Sequence, residues 1–156
     1  RGLFSADGGG YAWVDSSLGP GGGLSDFDPA RPALTRWVAT LKDTEGLALD
    51  TTYLIGFSQG SALCFALSAS GDLCPKGVAA LAAYLPDGDL SGLEGLPIFW
   101  SHGAQDDRVP IERARRDVER LRDAGAAVDY CETDTGHKVG IECMRALHGW
   151  LNPKRR

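Results

Sequence analysis

The segment Gly56-Phe57-Ser58-Gln59-Gly60 follows the apolar run Thr52-Tyr53-Leu54-Ile55 and opens the small-residue run Ser61-Ala62-Leu63-Cys64-Phe65-Ala66. This placement turns a G-x-S-x-G pattern into a mechanism. A serine on a sharp turn between a strand and a helix has its hydroxyl pushed out of the sheet. Glycines flank it because a side chain at Gly56 or at Gly60 is expected to collide with the neighbouring strand or helix. Ser58 is therefore a candidate nucleophile. With 21 glycines in 156 residues the pattern is weak by itself, and a serine in an ordinary tight turn is the competing reading.

Outward from the pentapeptide, the chain alternates strands and helices. Asp28 offers an N-cap, and Leu34, Trp37, Val38 and Leu41 fall on one face of a helix predicted to end near Gly46. Residues 52 to 57 read as a strand and 59 to about 70 as a helix apolar on most faces, both fully buried. Residues 78 to 85 and 97 to 102 give two further apolar strands. Ile111, Ala114, Val118 and Leu121 mark an amphipathic helix, residues 128 to 133 a fourth strand, and Ile141, Met144, Leu147 and Leu151 a terminal helix. Such alternation, with uninterrupted apolar strands, predicts an α/β fold with a parallel sheet covered on both faces. The first 28 residues read as a glycine-rich loop segment, with Gly8-Gly9-Gly10 and Gly19-Pro20-Gly21-Gly22-Gly23 marking mobile loops on either side of Tyr11-Ala12-Trp13-Val14-Asp15. The length suits a single domain, residues 1 to 156.

Composition narrows the partners. At 43% apolar and 24% charged, with a net charge of −5, the chain resembles an ordinary globular protein and is a poor match for nucleic acid or an anionic membrane surface. The only basic cluster is Lys154-Arg155-Arg156, and no apolar run approaches the roughly 18 residues of a membrane span. Cys64, Cys74, Cys131 and Cys143 form no C-x-x-C pair and have no histidine at metal-ligand spacing. They read as reduced structural thiols, a Cys64–Cys74 disulfide being the alternative, and no metal or organic cofactor is expected. No signal peptide is visible. The chain opens at Arg1, so its natural amino terminus is expected to lie upstream, and a cytoplasmic location is the expectation.

In open parallel sheets reactive groups collect beyond the carboxyl ends of the strands. Ser58 follows the first strand, Asp106 and Asp107 the third, and His137 the fourth. A serine hydroxyl needs an imidazole to take its proton and a carboxylate to orient that imidazole. The order Ser, Asp, His is that of the α/β hydrolases. Among the three histidines, His102 precedes both aspartates and suits a structural hydrogen bond, and His148 falls within the terminal helix. His137 lies in the loop Asp134-Thr135-Gly136-His137, where the preceding glycine is expected to let the ring approach the serine. Spacing does not choose between Asp106 and Asp107, and one of them suits a cap on the helix beginning at Pro110; Asp134 is a weaker alternative acid.

Taken with His102-Gly103-Ala104-Gln105-Asp106-Asp107-Arg108-Val109-Pro110 and Gly136-His137, the pentapeptide resembles the phospholipase/carboxylesterase family of α/β hydrolases, which includes the acyl-protein thioesterases. The resemblance implies a three-layer α/β-hydrolase fold and selects Asp106 as the catalytic acid. It also makes Trp13 a candidate for the acyl pocket, with core packing as the alternative. Family members carry an upstream H-G-x-G type loop that donates one oxyanion amide, and nothing before Ser58 matches it. The chain is thus expected to lack the N-terminal strands, to keep only the Gln59 N–H as oxyanion donor, and to expose the first strand as an apolar edge open to self-association. The implied activity is hydrolysis of a small carboxylic ester or thioester. The rivals are a dienelactone-hydrolase-like or peptidase-like member of the fold and a non-catalytic fragment or pseudoenzyme that binds a partner.

Overall fold

The computed structural model describes residues 1–6, 9–15 and 22–153. Gly8, Gly19 to Gly21 and the Lys154-Arg155-Arg156 cluster lie outside the described residues. Two short strands, β1 (Phe4–Ser5) and β2 (Tyr11–Ala12), pair antiparallel, and Leu24–Phe27 forms a 3-10 turn. Helix α1 (Arg31–Glu45) follows. The main unit then runs β3 (Tyr53–Phe57), α2 (Gln59–Ala69), β4 (Gly77–Leu81), β5 (Pro97–Gly103), α3 (Ile111–Asp123), β6 (Ala127–Thr133) and α4 (Ile141–Leu151). The four strands lie in the order β3-β4-β5-β6, all parallel. Among the described residues no helix is long and apolar enough to cross a membrane.

Three layers follow from which side chains each strand alternately presents. On one face Val78, Ala80, Ile98 and Trp100 pack against Cys64 and Phe65 of α2 and Ala114, Val118 and Leu121 of α3. On the other, Ala79 and Phe99 pack against Leu147, Trp150 and Leu151 of α4. A second cluster joins Val38 of α1 to Ala62, Leu63, Ala66 and Leu67 of α2. Helix α2 is thus apolar all round because it is covered from two sides, with Ser61 through Ser68 buried.

Several expectations need correction. Strand β3 is not fully buried, since Ile55 and Phe57 are 53% and 46% exposed; it lies at a sheet edge, as the missing upstream strands led one to expect. The second apolar run is strand only to Leu81, since Ala82 turns the chain at φ 46°. The first 28 residues contain β1, β2 and the 3-10 turn and are not all loop. Asp28 does not cap α1, which starts after Ala30 with a proline in its first turn; Asp28 instead pairs with Arg31. The end of α1 at Gly46 is as expected. Trp37, Ile141 and Met144 are exposed. The buried stripe of α4 is shifted to Cys143 and Leu147, because Cys143 is drawn inward.

The cause is a disulfide between Cys131 of β6 and Cys143 of α4, with Cα atoms 5.7 Å apart. This overturns the reading of four reduced thiols and of the alternative pairing, since Cys64 and Cys74 are free. Sequence spacing could not reveal it, because strand and helix must pack before the two sulfurs meet.

Candidate active site

The turn at Ser58 is strained and held from several sides. Ser58 has φ 51° and ψ −119°, a region a non-glycine residue enters at a cost of order 1–3 kcal/mol. Its N–H donates to the Leu81 carbonyl at 2.8 Å, and its own carbonyl accepts from the Ser61 N–H at 3.0 Å. Ser61 then locks strand to helix: its hydroxyl donates to the Gly56 carbonyl at 2.7 Å and accepts from the Leu81 N–H at 3.1 Å. Ser61 is a supporting residue that the sequence pattern passes over.

The two glycines of the pentapeptide are unequal. A Cβ on Gly56 would sit 2.4 Å from the Ser61 nitrogen and 2.5 Å from the Gly60 carbonyl carbon, whereas one on Gly60 would meet nothing within 4 Å. The expectation that both are sterically required therefore holds for Gly56 alone. Gly56→Ala is expected to destabilise by about 1–3 kcal/mol through forced separation of β3 and α2. Gly60→Ala is expected to be neutral or stabilising by up to about 1 kcal/mol. Urea melts of the two variants check the contrast.

Asp106 and His137 meet at the ends of β5 and β6. His137 Nδ1 lies 2.8 Å from Asp106 Oδ2, and the Asp106 carboxylate is fully buried beside a ring only 13% exposed. Oδ1 accepts from the backbone N–H groups of Arg108 and Val109, each at 2.9 Å. Burial alone would raise the Asp106 carboxyl, but the Val109 N–H, the His137 ring and the Arg108 N–H outweigh it and hold the group below the ordinary carboxylate value. The neighbouring Asp107 is exposed and α3 begins after Pro110 without a side-chain cap, so the expected division into one catalytic and one capping aspartate does not arise. Asp134 accepts from the Gln105 side chain at 2.7 Å. His148 is exposed on α4.

Close approach of the two loops depends on Gly103, not on Gly136 as expected. A Cβ at Gly103 would lie 2.2 Å from the Gly136 carbonyl oxygen and 2.3 Å from that of Thr135; one at Gly136 would meet only the Gln105 carbonyl, at 3.7 Å. Bonds from the Ala104 N–H to Thr133 (2.7 Å) and the Gln105 N–H to Thr135 (2.9 Å) zip the loops together. The His137 ring also packs edge-on against Phe57, with centroids 5.0 Å apart. Phe57 is the residue that precedes Ser58.

Gln59 begins α2, where helix N–H groups have no intrahelical acceptor. Its side-chain oxygen accepts from the Trp13 backbone N–H at 2.6 Å, docking the β2 segment beside the elbow. Trp13 lines a cavity of about 260 Å³ together with Trp37, Leu54, Phe57, Gly60 and Leu63. Cys64 also lines it, but burial pushes its thiol up to about 12, which keeps the sulfur protonated at neutral pH. A larger open concavity of about 980 Å³ runs along α3 and contains none of Ser58, Asp106 and His137. Its charges are largely paired internally, Arg120 bonding both Asp87 and Asp117.

Comparison with known proteins places the family and the fold. Residues 34–153 match the family model described as Phospholipase/Carboxylesterase. A probable carboxylesterase SOBER1-like of Arabidopsis thaliana is 29% identical over 119 residues, covering 70% of this chain and 44% of that protein. A probable carboxylesterase of Oryza sativa subsp. japonica is 31% identical over 118 residues, covering 69% and 43%. The chain thus spans less than half the length of these relatives. Among solved structures, YahD with malic acid superposes with a TM-score of 0.83 at 21% identity, covering 99% of this chain and 78% of that one. Esterase PE8 gives 0.82 at 23%, covering 97% and 74%. The fold is that of the α/β hydrolases, and the chain belongs to the phospholipase/carboxylesterase family.

Proposed function

We propose that this chain, as one α/β-hydrolase domain, hydrolyses carboxylic esters or thioesters through an acyl-enzyme on Ser58. The observation that carries the reading is the 2.8 Å contact between His137 Nδ1 and the buried Asp106, with the same ring packed on Phe57, the residue before the strained Ser58. An ionised Asp106 only accepts hydrogen bonds, so Nδ1 carries the proton and Nε2 is left as the base. Ser58 Oγ attacks the acyl carbonyl carbon while its proton passes to His137 Nε2. The Gln59 N–H supports the resulting oxyanion. Collapse expels the alcohol or thiol, which takes the proton from His137. Water, deprotonated by the same imidazole, then releases the acid and restores Ser58. The cavity beside Trp13 takes the acyl chain: its lining is largely apolar and, though it includes none of Ser58, Asp106 and His137, it includes Gly56, Phe57 and Gly60 on either side of Ser58.

Labelling with a fluorophosphonate and hydrolysis of p-nitrophenyl esters of increasing acyl length test the reading. Labelling of this chain is the expected result, and turnover is expected to rise with chain length until the cavity is filled. A form extended upstream that works faster by about 10²–10³ would assign a second oxyanion donor to the added segment. Absence of labelling in both forms would favour the non-catalytic, partner-binding reading.

A further inference from the structure

His102, near the end of β5, is completely buried and takes no part in the steps above. Its Nε2 lies 2.8 Å from the Val109 carbonyl oxygen and 3.5 Å from Asp106 Oδ2. Both facing atoms accept hydrogen bonds, so Nε2 carries a hydrogen and donates it to Val109. The other ring nitrogen, Nδ1, is buried with no hydrogen-bond partner among the described residues. An apolar residue of similar size would fill this place without a stranded buried nitrogen. What it would lack is the Nε2–H donor.

That donor closes a small circuit around the carboxylate. Val109 is held on both sides, its N–H on Asp106 Oδ1 at 2.9 Å and its carbonyl by His102. The Arg108 N–H bonds the same Oδ1 at 2.9 Å. Pro110, at φ −55°, fixes where the segment leaves for α3. We propose that His102 is a positioning residue: by clipping the Val109 carbonyl and lying against Oδ2, it sets the plane of the Asp106 carboxylate so that Oδ2 meets His137 Nδ1. The inference rests on Asp106 being the group that orients His137. It makes the motif histidine part of the acid's mounting, and the wiring runs through the backbone of Val109.

Nitrogen-15 NMR of the histidine rings tests this without depending on turnover. The wild-type chain is expected to show His137 with a protonated, exchange-protected Nδ1. His102→Leu is expected to lose that protected proton and to slow fluorophosphonate labelling of Ser58 by about ten-fold or more. His102→Gln, whose amide nitrogen can occupy the place of Nε2 and donate to Val109, is expected to keep both properties. An unchanged His137 signature in His102→Leu overturns the proposal, as does a wild-type spectrum without the protected proton. If the leucine variant does not fold, the glutamine variant decides: a native His137 signature supports the proposal, and failure to fold or a lost signature overturns it. A signature that depends on His102 in a chain that never labels would sink the hydrolase reading and leave the positioning role standing.

Discussion

Replacement of Ser58 by alanine is expected to abolish fluorophosphonate labelling and to lower ester turnover by up to about 10⁶-fold, the scale on which triad nucleophiles act. Loss of the whole effect from one oxygen follows from how the residue is mounted. The backbone strain at φ 51° is held by four elements of one lock: the Leu81 carbonyl, the Ser61 N–H, the Ser61 hydroxyl and the glycine gap at Gly56. Alanine satisfies the same backbone bonds, so the fold should survive and the melting temperature should move little. Intact-mass measurement after probe treatment, paired with a thermal melt, separates the two contributions. A folded Ser58→Ala chain that still takes the probe would show that the nucleophile lies elsewhere. In that event Cys64 is a poor substitute, because its thiol is buried and protonated.

Removal of the Cys131–Cys143 cross-link should give the largest change in stability. The bond closes a loop of 12 residues in sequence separation, and restricting the unfolded chain over such a span is worth about 3 kcal/mol. Against a typical total of about 5–15 kcal/mol this is a large share, and for a domain of this size it corresponds to a fall of roughly 6–12 °C in melting temperature. The expectation applies to the Cys131→Ala/Cys143→Ala double variant. A thiol reductant should shift the wild-type chain in the same way and leave the double variant unmoved; equal melting of oxidised and reduced wild type would refute it. The enclosed loop carries His137, so the cross-link acts on the site as well as on the fold. Labelling of Ser58 should slow without being lost at room temperature, since the Ala104 and Gln105 backbone bonds still hold the loop to the end of β5. Disulfides persist mainly in oxidising compartments, which ties the firmness of this loop to its redox surroundings.

Much of the site was legible because it rests on local chemistry repeated at strand ends. An apolar run followed by a glycine-flanked serine can be read as a strand-to-helix turn, and the segments after β5 and β6 carried the candidate acids and the candidate base. Where the reading failed, the missing information was a contact between distant segments. Gly60 looked as necessary as Gly56, and Gly136 was expected to let the ring approach, yet the close approaches occur at Gly56 and Gly103, where a second stretch of backbone crosses. Trp37, Ile141 and Met144 had the right helical spacing but the wrong surroundings. Periodicity identifies an apolar face without naming what covers it.

The sequence by itself determined the alternation of strands and helices and the parallel sheet, and it singled out Ser58, a pair of adjacent aspartates and His137 as candidates in that order, because apolar periodicity and turn chemistry are local properties. The family motif had pointed to Asp106, and tertiary structure shows which aspartate faces the histidine: Asp106 and Asp107 are neighbours, but only Asp106 turns inward onto the Val109 and Arg108 amides and His137. It also decided that Cys143 meets Cys131 and that the buried His102 holds Val109. Each of these depends on packing that brings residues together across the sheet, where distance along the chain no longer measures distance in space.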